Sequence, residues 1–159
     1  TTISESEANA EGFVTVQHDF DLLKQMNDEC PHIIAKKDDT VVGYALCMHP
    51  KFGESIEMLK PMFAEIETTL RDSSHSFGMT NENYIVMGQI CIDKHYRKQG
   101  IFRKLYEHMK AEVISPFSAI ITEVDCKNKR SLDAHYAIGF QKLKSYHSGG
   151  QDWELIYLQ

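Results

Sequence analysis

Arg97, Lys98, Gly100 and Arg103 stand close together, directly after the strand-like run Gly88-Gln89-Ile90-Cys91-Ile92 and at the opening of a helix-like one. A helix N-terminus leaves its first backbone N–H groups unpaired and carries a partial positive charge. Gly100 lets a ligand approach the main chain closely, and the three cations add full charges. The chemistry of such a turn is capture of an anion, and the natural anion is a phosphate or pyrophosphate. The dinucleotide fingerprint needs three spaced glycines and the Walker loop ends in Gly-Lys-Ser/Thr; neither is present. A solvated basic helix start is the plainer alternative.

A second chemical group lies further on. Glu123 sits in the run Ala119 to Cys126, which is rich in Ile, Val and Thr and reads as a strand. A carboxylate in an apolar strand is paired, exposed or functional. It is a candidate general base acting through water, with a salt bridge to Lys127 or Arg130 as the structural alternative. Asn128 is an N-cap for a helix running to about Ile138, which Gly139 closes.

The elements that must position these groups can be laid out along the chain. Residues 1–11 are acidic and Ser/Ala-rich and are expected to fray, and residues 12–16 form a short β-like run. Asp19 to Asn27 reads as a helix with Phe20, Leu23 and Met26 on one face, stopped by Pro31. His32 to Lys36 and Thr40 to Met48 read as a hairpin across Lys37-Asp38-Asp39. Pro61 suits a first helical turn, which places a helix at 61–71, followed by a polar loop over 72–82. Asn83 to Ile92 is the central strand, with a bulge or a close approach at Gly88. Gly100 to Ile114 is amphipathic through Phe102, Leu105 and Met109. Phe140 to His147 and Asp152 to Leu158 form a last hairpin across Ser148-Gly149-Gly150. This order predicts an α/β fold with a mixed sheet, in one domain spanning 1–159.

Arg97-x-x-Gly100 after a strand resembles the coenzyme-A-binding turn of GNAT-type N-acetyltransferases, although Phe102 stands where that family has Gly or Ala. Asn128, Ser131, Gly139 and Phe140 resemble the family's second hallmark, Asn-x-x-Ser/Ala followed by Gly-Phe. The resemblance covers roughly residues 32–159. It implies a central twisted sheet, flanked by helices, in which strands 83–92 and 119–126 run parallel and splay apart. It also implies a strand and helix ahead of the visible segment, for which residues 12–16 could serve or which the chain lacks.

The activity implied is acetyl transfer from acetyl-CoA to an amine. An amine of pKa near 10.4 costs about 4.6 kcal/mol to hold neutral at pH 7, so a base or a desolvating pocket is required. The resemblance gives the cofactor to Arg97, Lys98, Gln99, Gly100, Ile101, Phe102 and Arg103, with Ile90, Cys91 and Ile92 beside its pantetheine arm and supplying an oxyanion donor. It turns Asn128, Ser131 and His135 toward the same arm. His135 occupies the position where the family often carries a Tyr, and Tyr136 follows it; both are candidates to protonate the leaving thiolate. The structural alternatives are a carbonyl bond for His135 and core packing on Leu132 for Tyr136. Tyr84 and Gln89 are expected to line the acceptor site and His49 to cover it, while Trp153 is expected in the core. The alternative function is a coenzyme-A sensor without catalysis. A nucleotide-binding domain is disfavoured because no acidic metal motif accompanies the basic turn.

Composition narrows the partners. The formal net charge is -6, which argues against nucleic acid or an anionic membrane as partner. The acceptor is expected to be an amine, a small molecule in preference to a protein, with a homodimer left open. Cys30, Cys47, Cys91 and Cys126 show no metal-ligand spacing, so free thiols, no metal and a reducing cytoplasm are expected.

Overall fold

The computed structural model describes residues 18–72, 78–81, 83–113 and 117–159. The expectations for residues 1–11 and 12–16, and part of the 72–82 loop, lie outside them. Helix α1 (Phe20–Glu29) opens where Asp19 Oδ1 accepts the Leu22 N–H at 2.8 Å, an N-cap that satisfies an otherwise unpaired donor. Strands β1 (Ile33–Lys37) and β2 (Thr40–Met48) form the expected hairpin, with Asp38 at φ 53 in its turn. Helix α2 (Lys60–Arg71) carries Pro61 in its first turn and buries Met62 and Ile66. Two short 3-10 turns, Pro50–Ser55 and Glu57–Leu59, lead into it.

Strand β3 (Tyr84–Ile92) is followed by the basic turn and helix α3 (Ile101–Val113), then by β4 (Ala119–Asp125), helix α4 (Lys129–Tyr136), β5 (Gln141–Ser148) and β6 (Gln151–Leu158). Gly149 and Gly150 both have positive φ (60° and 76°), the conformation a two-residue hairpin turn demands. The six strands make one mixed sheet in the order β1-β2-β3-β4-β6-β5, with β3 and β4 the parallel pair. Alternation along each strand divides the core between the two faces of the sheet. Met48, Val86, Ile121 and Leu155 pack with α1 and α2 through Met26, Met62 and Ile66. Ala45, Ile85, Ile120 and Ile156 pack on the other face with Leu105, Tyr106 and Met109 of α3 and Leu132 of α4.

Candidate active site

Strands β3 and β4 pair only at Tyr84–Ala119, Ile85–Ile120 and Val86–Ile121. Thr122 Oγ1 donates to the Met87 carbonyl at 2.9 Å, and beyond that rung the ladder stops. Gly88 is the extra residue of a bulge: Cys47 faces Met87 and Leu46 faces Gln89. The Asp93 N–H bonds the Val42 carbonyl on β2 at 2.9 Å. Main-chain groups point alternately to the two sides of an antiparallel strand, so Ile92 and Ile90 turn theirs away from β2, into the gap. Arg97 Nε confirms this direction by donating to the Ile92 carbonyl at 3.1 Å. The side chains of Ile90 and Ile92 pack toward α3, while Gln89 and exposed Cys91, opposite Leu46 and Tyr44, belong to the α2 face.

The turn from Arg97 to Gly100 lies at the α3 end of this gap. Gly100 has φ +78°, which a side chain would strain, and no atom stands within 4 Å of where its Cβ would be. Lys98 also has positive φ (61°) and is exposed. An open turn with two left-handed residues ahead of a long helix fits a pyrophosphate against the amides of Ile101, Phe102 and Arg103. Gln99 Nε2 braces the turn on the His95 carbonyl at 3.3 Å. Arg103 is used differently from the sequence expectation: its guanidinium donates to the Ala137 carbonyl at the end of α4, 3.1 Å away. The Phe102 ring is turned into the α3–α4 contact, edge-on to Tyr106 and His135.

On α4, Asn128 Oδ1 accepts the Ser131 N–H at 3.2 Å, so its side chain is the helix cap. The Phe140 N–H reaches back to the His135 carbonyl and the Gly139 N–H to that of Tyr136, with Gly139 at φ +107°, a left-handed helix stop. His135 is 1% exposed. Its Nδ1 lies 2.7 Å from the Ser131 carbonyl, which can only accept, so Nδ1 carries the proton and Nε2 accepts from the Tyr106 hydroxyl at 2.7 Å. Burial lowers its pKa to about 4. With both nitrogens engaged and the ring sealed between Phe102, Tyr106 and Phe140, the carbonyl-bonded alternative describes His135 better than the thiolate donor does. Tyr136 fits neither expectation. It is 39% exposed, outside the core, and its hydroxyl donates to Glu154 on β6.

Glu123 follows the last parallel rung, at the edge of the gap. It pairs with Leu155 and shares the α2 face with Ile121. Its partner is Tyr146 of β5, whose hydroxyl donates to the carboxylate; the expected salt bridge to Lys127 or Arg130 is not the contact that forms. Burial, opposed by this hydrogen bond, raises its pKa to about 7. Gln89 shares that face across the gap, half-buried. Tyr84 and His49 lie elsewhere. Tyr84 is in the core at the closed end, opposite Ala119, its pKa pushed up to about 12 by burial and Glu67. His49 caps the turn Pro50–Ser55 by accepting the Lys51 N–H at 3.1 Å and packs on Phe117, just before β4 begins. Trp153 is half-buried, donating to the Ser148 carbonyl at 3.2 Å, not a core residue. Tyr146 and Tyr106 were missed, because the strand register and helix contact that bring them to Glu123 and His135 are long-range.

The GNAT acetyltransferase family model matches residues 3–140. The chain belongs to the GNAT acetyltransferase family. It is an N-acetyltransferase, and the acyl donor its family uses is acetyl-CoA. No curated protein matches the sequence significantly. Among solved structures, GNAT-like folds recur at low identity. The structure of yncA from Salmonella typhimurium, with its cofactor acetyl-CoA, is 14% identical with a TM-score of 0.62, over 96% of this chain and 82% of that one. A ribosomal-protein-alanine N-acetyltransferase from Brucella melitensis is 16% identical with a TM-score of 0.61, over 96% and 87%. Protein smu.2055 from Streptococcus mutans UA159 is 16% identical with a TM-score of 0.60, over 89% and 77%. Among the described residues, no helix is long and apolar enough to cross a membrane.

Proposed function

We propose that this GNAT enzyme acetylates a primary amine, a small molecule in preference to a protein, with Glu123 as general base. The observation that carries this reading is the position of Glu123: half-buried at the edge of the splayed gap, on the sheet face opposite α3, with a carboxyl poised near neutrality at about pKa 7. A base of that pKa is half ionised at pH 7 and matched to its task. An amine entering from the α2 face meets Glu123 and Gln89, while Arg97 to Gly100 and the α3 N-terminus hold the phosphates from the other side.

Bound acetyl-CoA supplies an activated acyl carbon and a thiolate leaving group. Glu123 takes the proton that the attacking nitrogen sheds, directly or through one water, as the new C–N bond forms and the C–S bond breaks. One of the two amides turned into the gap, that of Ile90 or that of Ile92, would donate to the carbonyl oxygen as charge develops on it. A thiol of pKa near 8.5 departs at neutral pH with little help, so the reaction does not depend on a proton from His135. That residue is assigned the structural role of tying α4 to α3. Some structural relatives are named for acetylating proteins, such as the ribosomal-protein-alanine enzyme, so the acceptor screen includes peptides.

The test is release of free thiol from acetyl-CoA in the presence of small amines and of short peptides with free N-termini. The reading expects turnover with a small amine and loss of about 100- to 10,000-fold in Glu123→Gln. Full turnover by that variant would overturn the base assignment. Turnover confined to peptides would overturn the small-molecule acceptor.

A further inference from the structure

We propose that Tyr146 is a positioning residue for acetyl transfer: its hydroxyl, donated from β5 over the intervening β6, fixes the Glu123 carboxylate at the edge of the gap. The proposal rests on the reading of Glu123 as base. Three observations carry it. The first is register. Glu123 faces Leu155, Leu155 faces Lys144, and Tyr146 stands two residues along β5 opposite Trp153. Two strand spacings separate β4 from β5, roughly 10 Å, which only a long side chain spans.

The second is a bulge. Lys142 faces Ile156 and Lys144 faces Leu155, which leaves Leu143 as an extra residue in β5. Without it, the alternation would send Lys144 and Tyr146 to the α3–α4 face. The bulge re-aims both toward α2. The third is what meets them there. Lys144 Nζ lies 2.5 Å from Glu65 Oε2 on α2, which ties the strand to the helix, and Tyr146 feels both Glu65 and Glu123. Burial and these two carboxylates push the Tyr146 phenol well up, so it keeps its proton and donates it to the ionised Glu123 carboxylate. That bond favours the ionised carboxylate and opposes the effect of burial.

The other groups on this face do not replace it. Asp125, next on the same side of β4, accepts from the Lys127 N–H and from Gln151. Gln89 and Cys91 of β3 and Tyr44 of β2 stand across the gap. Leu155, the β6 neighbour, carries no charge.

Carbon-13 labelling of glutamate carboxyl groups tests the proposal without any acceptor. The Glu123 signal is assigned by its loss in Glu123→Gln. In Tyr146→Phe, which removes only the hydroxyl, its titration midpoint should move up by about one pH unit. A fluorinated tyrosine at 146, a stronger donor of the same shape, should move it down. An unmoved midpoint in both would overturn the role of Tyr146 and leave the base assignment standing. A wild-type rate in Glu123→Gln would remove the base assignment, and with it the role in transfer, even if the midpoint moves.

Discussion

Phe102 and His135 touch, ring edge against ring face, with centroids 5.0 Å apart and planes at 86°. These are the two positions at which the chain departs from the pattern of its family's hallmarks, and the structure makes them neighbours. A Phe in the first turn of α3 fills space over α4, and a His in place of the usual Tyr turns inward beneath it to meet Tyr106. Each departure accommodates the other.

His135→Ala is therefore expected to damage the fold more than the chemistry. It opens a cavity and leaves the buried Tyr106 hydroxyl without a partner, at a combined cost of about 2–4 kcal/mol. Chemical denaturation should show that loss. The kcat of the folded variant should stay within a few-fold of wild type; a fall of 100-fold or more would restore His135 to the reaction.

The pH dependence of stability carries opposite signatures from two groups, buried His135 and half-buried Glu123. His135 has a folded pKa of about 4 against an ordinary 6.5, so the unfolded chain binds the extra proton and stability falls as pH drops from about 6.5 to 4. Glu123 has a folded pKa of about 7 against 4.5, so the folded chain holds the extra proton and stability falls as pH rises from about 4.5 to 7. The two slopes oppose each other over the shared window. Glu123→Gln should remove the second slope and leave a protein more stable than wild type at pH 8, by at most roughly 3 kcal/mol and less as solvent screens the half-buried carboxyl, and not at pH 4. Melting temperatures across this range would show it; equal shifts at both ends would contradict it.

Activity should follow the same carboxyl. The rate at saturating acetyl-CoA is expected to rise through about pH 7 as Glu123 ionises. In Glu123→Gln that limb should vanish along with most of the rate. A limb that persists unchanged in the variant belongs to another group.

Gly100→Val probes the phosphate cradle. The φ of +78° disfavours any branched side chain, while no protein atom occupies the space such a side chain would enter. The variant should fold, with a loss of about 1–3 kcal/mol, and bind coenzyme A at least ten-fold more weakly by calorimetry. Unchanged affinity would move the cofactor site away from this turn.

How much of this could be read from the residues alone depended on range. The hairpin turns, the Asp19 and Asn128 caps, the stop at Gly139 and the bulge at Gly88 are local, set by a few adjacent residues, and the sequence reading located them. The turn at Arg97 to Gly100 was legible for the same reason. Roles that depend on which strand lies beside which were not. Glu123 could be singled out as an odd carboxylate in an apolar strand, but its partner comes from two strands away through a bulge at Leu143 that carries no Gly or Pro to announce it. His135 was placed on a helix face by spacing alone, and spacing does not say that Tyr106 and Phe102 close over that face. Tyr84 and Gln89 lie on one strand, yet only the register with β4 tells which end of it is open.

That register has a mechanical consequence. Three rungs and the Thr122 hydroxyl join β3 to β4, while longer antiparallel ladders stitch β1-β2-β3 and β4-β6-β5 internally. The sheet is thus two leaves on a short hinge, and the hinge ends at Thr122, next to Glu123 at the mouth of the gap. Opening or closing the leaves by a small angle changes the width at Ile90 and Ile92 most. A donor whose amide arm lies in the gap as an added strand would splint both leaves at once. Slowed amide hydrogen exchange would then spread over the whole sheet instead of stopping at the residues the donor touches.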